Sequence, residues 1–158
     1  MKTLLLVLGV VSIVAIGCGQ LAQVTPAPEV EIVYVNPLAT GFYLDSIPPD
    51  RKVEEIRFQV FNGVDAVIKR MDYDYFASDG TALIDSLPYV GMHLLVSGDS
   101  ECVATSLLNV PVPLTNAVVN YIITTGDWVY VTLTFSGEDA FGLEKEFETD
   151  MDWGIQGY

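Results

Sequence analysis

The sequence has little of what catalysis and metal binding usually require. His93 is its single histidine, which excludes a zinc centre built on two or more histidines. Cysteine occurs twice, at Cys18 and Cys102, too few for a disulfide framework. There is no Gly-x-Ser-x-Gly nucleophile elbow and no glycine-rich phosphate loop leading into a lysine. Basic residues are scarce as well. Seven Lys and Arg stand against 21 Asp and Glu, a formal net charge of −14. Nucleic acid and anionic lipid surfaces repel such a body, because both are bound through clustered cations. Among so many acids some carboxylates meet by chance, so a glycosidase-like pair has no weight without a cleft that separates their pKa values. These absences predict no enzyme, no cofactor, no metal site and no nucleic-acid partner. Partners should be neutral or basic, or bridged by divalent cations.

Long apolar runs are also missing. The one at the N-terminus, Leu4 to Ile16, falls short of the ~20 residues that cross a bilayer. Lys2 precedes it, the small residue Gly17 and then Cys18 follow it, and a polar, proline-bearing stretch comes next. Charge, short apolar segment, small residue and cysteine in that order make a processing signal rather than part of a fold. The tetrapeptide Ala15-Ile16-Gly17-Cys18 resembles the lipobox of bacterial lipoproteins. That resemblance implies cleavage between Gly17 and Cys18, acylation of the Cys18 thiol, and a domain held outside the cytoplasm on the cell membrane or outer membrane. Two or more acyl chains make such an anchor stable where one does not. Residues 1–17 are then the signal peptide and 18–29, with Pro26 and Pro28, a tether. Cys102 would be the one thiol left, and Asp99 and Glu101 beside it disfavour its thiolate.

Residues 30–158 are one domain's length, enough for a core without metal or disulfide. Their pattern is β. Ile56, Phe58 and Val60 alternate with Arg57 and Gln59, and Met71, Tyr73 and Tyr75 with Arg70, Asp72 and Asp74. Met92, Leu94 and Val96 form another alternation, followed by a strand expected over Cys102 to Val112. Val129, Val131, Leu133 and Phe135 should face inward, with Trp128, Tyr130, Thr132 and Thr134 outward. A connection over Ser136 to Gly142 should lead to a last strand with Phe147, Thr149, Met151 and Trp153 on one side. Ala117, Val118, Tyr121 and Ile122 follow helical spacing, with Thr115 as N-cap and Gly126 just past the end. About seven strands and one short helix predict an all-β, antiparallel two-sheet sandwich. The segments Asn62-Gly63-Val64-Asp65-Ala66 and Phe135-Ser136-Gly137-Glu138-Asp139 make it resemble the immunoglobulin-like sandwiches of bacterial envelope proteins, without the paired cysteines of antibody domains.

Two groups of residues are candidate binding sites. Glu144, Glu146, Glu148, Asp150 and Asp152 occupy alternate positions, which in a strand line one face at spacings of roughly 7 Å. Such a row suits a basic partner, calcium, or protection of an exposed edge from aggregation. Lys69, Arg70 and Arg57 are cations it could meet across strands. Trp128 and Tyr130 form the second group, which Tyr34, Tyr43 or Tyr89 could join. Their flat apolar rings with polar tips suit a sugar or a protein. The functional expectation is a lipid-anchored, non-enzymatic envelope lipoprotein with a binding or adhesion module contacting an envelope protein or glycan. A structural accessory subunit and a calcium-stabilised surface domain are the alternatives.

Overall fold

The computed structural model describes residues 25–84, 87–98 and 103–158. Gly17, Cys18 and Cys102 lie outside them. The described residues form nine strands and one helix. In chain order these are β1 (Val30–Asn36), β2 (Ala39–Phe42), β3 (Asp50–Val60), β4 (Ala66–Ala77), β5 (Ala82–Ile84), β6 (Val90–Val96) and β7 (Thr105–Pro113). Helix α1 (Asn116–Thr125) follows, then β8 (Val129–Asp139) and β9 (Glu146–Gly157). One sheet has the order β1-β3-β7; the other runs β2-β9-β8-β4-β5, with β6 also paired to β4.

The alternations seen in the sequence set this arrangement. Ile56, Phe58 and Val60 of β3 are buried, as are Met71, Tyr73 and Tyr75 of β4 and Val129, Val131, Leu133 and Phe135 of β8. Because successive side chains point to opposite faces, each strand gives one face to the core and one to solvent. Strands β1, β3 and β7 stand where A, B and E stand in an immunoglobulin sandwich, and β9, β8 and β4 where G, F and C stand. In antibody domains a disulfide joins strands B and F. Here Phe58 of β3 meets Phe135 of β8 edge-on, with ring centroids 4.9 Å apart. Tyr73 and Tyr75 add links between the sheets, their hydroxyls donating to the carbonyls of Pro111 and Pro113 on β7 at 2.9 and 2.7 Å. Burial pushes both phenols above their ordinary pKa.

Three expectations are corrected. The sheets are not wholly antiparallel, since β2 pairs in parallel with the end of β9, Ala39 opposite Gly154. Four residues with two of them small, Ala39 and Gly41, carry no alternation for a sequence reading to catch. The strand expected from Cys102 begins at Thr105 within the described residues. The segment from Ser136 is not all connection, because β8 continues through Asp139 before it turns.

Helix α1 fits its sequence signals closely. The Thr115 side chain accepts the Val118 N–H, and Gly126, at φ 71°, donates its own N–H to the Ile122 carbonyl. Val118 and Ile122 make its buried face.

The strand registers define two poles. At one, the Asn62 side chain grips the incoming chain: its Nδ2 donates to the Ala27 carbonyl (2.7 Å) and its Oδ1 accepts the Glu29 N–H (3.2 Å). The hairpin between β8 and β9 lies at this same pole, since Asp139 is opposite Ala66, just after the turn containing Asn62. The other pole holds Ala77, Val129 and Ile155, which are aligned across three strands. Eleven residues of β8 separate the poles, roughly 35 Å at the usual strand rise.

Candidate functional site

The solvent face of the larger sheet is organised in cross-strand rows. Arg70, Ser136 and Glu148 align, then Asp72, Thr134 and Asp150, then Asp74, Thr132 and Asp152, and last Phe76, Tyr130, Gly154 and Ala39. Charge therefore gives way to aromatic and small residues toward the pole far from Asn62. In β9 the outward acids end where Gly154 takes the next outward position, so a side chain is missing between Tyr130 on one side and Ala39 on the other. The result is a trough of about 670 Å³.

Its walls are aromatic. Tyr130 stacks on Phe76 at 5.3 Å between ring centroids, and Trp128 leans against Tyr130 at 5.8 Å. Across the trough the Tyr158 ring lies over Gly41 so closely that a Cβ at position 41 would overlap it. Backbone bonds hold Tyr158 there: its N–H donates to the Phe42 carbonyl at 2.9 Å, and its carbonyl accepts the Leu44 N–H at 3.1 Å. Trp128 and Tyr158 remain 48% and 68% exposed, so two large apolar rings face water with little covering them. Asp152 and Gln156 supply the polar rim. Asp152 is oriented by Thr132, whose hydroxyl donates to Oδ1 at 2.6 Å. Arg51 of β3 steadies β2 from the other sheet, donating twice to Thr40 Oγ1 at 2.8 and 3.1 Å.

Of the aromatic candidates, the structure brings Trp128 and Tyr130 together at the trough. Tyr43 is nearby, its ring 6.4 Å from that of Tyr158. Tyr34 and Tyr89 do not join them; each lies under a guanidinium, Arg57 at 4.4 Å and Arg70 at 4.6 Å from the ring centroid. Tyr158 was not singled out from the sequence, and neither was Gly154. The signal for the trough was the break in alternation, in which a glycine follows four acids on one face.

The acidic row is partly redrawn. Glu146, Glu148, Asp150 and Asp152 do share the exposed face of β9. Glu144 does not belong to it; it precedes the strand with φ 56°, in the tight turn that leads into β9. The cations expected to meet the row are occupied elsewhere. Lys69 pairs with Glu138, Arg70 with Asp72 and Arg57 with Glu55. Among the described residues no ion pair reaches Glu146, Glu148, Asp150 or Asp152.

The loop acids are held by backbone. Asp139, buried, accepts the N–H groups of Phe141, Leu143 and Lys145 at 2.8–3.0 Å. Burial pushes its pKa up, but these bonds outweigh burial and hold it below the usual carboxylate range. Asp79 accepts the Thr81 N–H at 2.9 Å, and Asp65 that of Gly98 at 2.6 Å. No group of three or more His, Cys, Asp or Glu side chains is placed to hold a metal among the described residues. Among them, too, no helix is long and apolar enough to cross a membrane. No family model matches the sequence, and no curated protein matches it.

Proposed function

We propose that this chain is a lipid-anchored envelope lipoprotein whose β-sandwich works as a binding or adhesion module, with the trough of Trp128, Tyr130 and Tyr158 as its contact surface. The observation that carries the reading is the trough's position. It lies at the end of the sheet face opposite the pole where the tether joins the domain, so an anchor at Cys18 would leave it distal to the bilayer. Exposed aromatic rings around a hollow are the usual composition of a binding hot spot, and large exposed apolar side chains are otherwise a liability for an isolated domain. The acid-rich remainder of the surface fits a protein kept soluble and apart from its neighbours.

The test is an array of envelope glycans and envelope proteins probed with the domain and its Trp128→Ala variant. Binding should fall about tenfold or more on loss of the ring. Circular dichroism should stay unchanged, since the side chain is half-exposed. A ligand bound equally well by both proteins would remove the trough from the reading.

A further inference from the structure

The proposed reading leaves the ligand's chemistry open, and the charge around the trough narrows it. We propose that the trough accepts a cationic side chain, arginine or lysine, presented on an extended segment of a partner protein, with Asp150, the next outward acid of β9 after Asp152, receiving a second cation. The inference rests on the trough being the contact surface and adds what fills it.

Three features of the structure converge on a cation. The walls carry the rings of Trp128, Tyr130 and Tyr158, and the negative quadrupole of an aromatic ring attracts ammonium and guanidinium groups within about 6 Å of it. Asp152 lines the trough, its Oδ1 accepting the Thr132 hydroxyl, and no ion pair among the described residues reaches it. Asp150 and Asp74 stand in the adjoining positions of the same face, with only threonines between them. A neutral sugar could stack on the rings and donate hydroxyls to Asp152, but it carries no charge for the neighbouring Asp150 and Asp74 to attract; an anion would be repelled. Cations of the domain itself do not satisfy the site, because Lys69 and Arg70 are held by Glu138 and Asp72, and Arg51 is bound to Thr40. Spacing fits an extended partner. Outward positions of β9 repeat at roughly 7 Å, the same distance that separates alternate side chains of another extended chain. Arginine suits the wall better than lysine, since its planar group stacks on a ring and forks onto a carboxylate at once.

The probe is a blocked pentapeptide with arginine at its second and fourth positions, titrated into the whole domain by calorimetry. Its citrulline counterpart and a neutral oligosaccharide of β-linked glucose serve as controls. The arginine peptide should bind, and the citrulline peptide should bind about tenfold more weakly or not at all. Trp128→Ala should cost about tenfold and Asp152→Asn several-fold, whereas Glu146→Gln with Glu148→Gln, outside the trough, should change affinity less than about threefold. Peptide binding that survives Trp128→Ala but disappears with the double glutamine variant would mean diffuse charge attraction and overturn the inference. Equal binding of the two peptides, or failure of both, would overturn it too. Oligosaccharide binding that depends on Trp128, without peptide binding, would reject the cation and keep the trough as a contact surface.

Discussion

Asp139 shows how a single side chain can fix a turn. The hairpin from β8 to β9 has few apolar contacts to hold it, so three backbone N–H groups converge on one buried carboxylate instead. Replacing it with alanine would leave those donors without their acceptor. Asp139→Ala should therefore lower the unfolding free energy by about 1.5–3 kcal/mol in chemical denaturation. The pH dependence follows from the direction of its shift. A carboxyl whose folded pKa lies below its unfolded value stabilises the fold above the unfolded pKa, and that stability is lost as pH falls through the folded one. The wild-type denaturation midpoint should thus drop below about pH 4, and Asp139→Asn should flatten that acid limb. The sequence places Asp139 within the connection that leads to the last strand. Its burial came from the end of β8 continuing further than the alternation of Val129 to Phe135 suggested.

At the scale of elements, the strongest local signals were read correctly because they need no knowledge of the rest of the chain. Thr115 and Gly126 bound α1 by the geometry of caps, and the inward face of β8 is fixed by its period of two. Thr115→Ala should cost about 1 kcal/mol, visible as a lowered melting temperature, because the Val118 N–H loses its acceptor. What the sequence could not yield was pairing. Strand β2 is defined by its neighbour β9 and not by its own residues, and the trough exists because Gly154, Ala39 and Gly41 come side by side from segments more than a hundred residues apart. Glu144 was misplaced for a related reason. Alternate spacing looks the same whether the first residue is in a strand or in the turn before it, and only the φ of 56° distinguishes them. The aromatic pair Trp128 and Tyr130 was legible since both sit on one strand. Tyr158, which closes the opposite wall, required the fold.

For the whole molecule, the proposed anchor and the proposed contact surface fall at opposite poles. If Cys18 carries acyl chains, then Cys18→Ser should release the protein from the membrane fraction, abolish labelling by radioactive palmitate, and leave the circular dichroism of the domain unchanged. Labelling that persists in Cys18→Ser would place the modification elsewhere. The same separation would let a tether vary in length without disturbing the trough, as the grip of Asn62 on Ala27 and Glu29 lies roughly 35 Å away.

The ring-to-ring contact of Phe58 and Phe135 has a consequence for where this fold can mature. Sandwiches closed by sulfur depend on an oxidising compartment and on enzymes that make the bond. Closure by two phenyl groups asks for neither. Dithiothreitol should leave the domain's thermal transition where it is, and synthesis in a reducing cytosol should give the native body as readily as synthesis in an oxidising compartment.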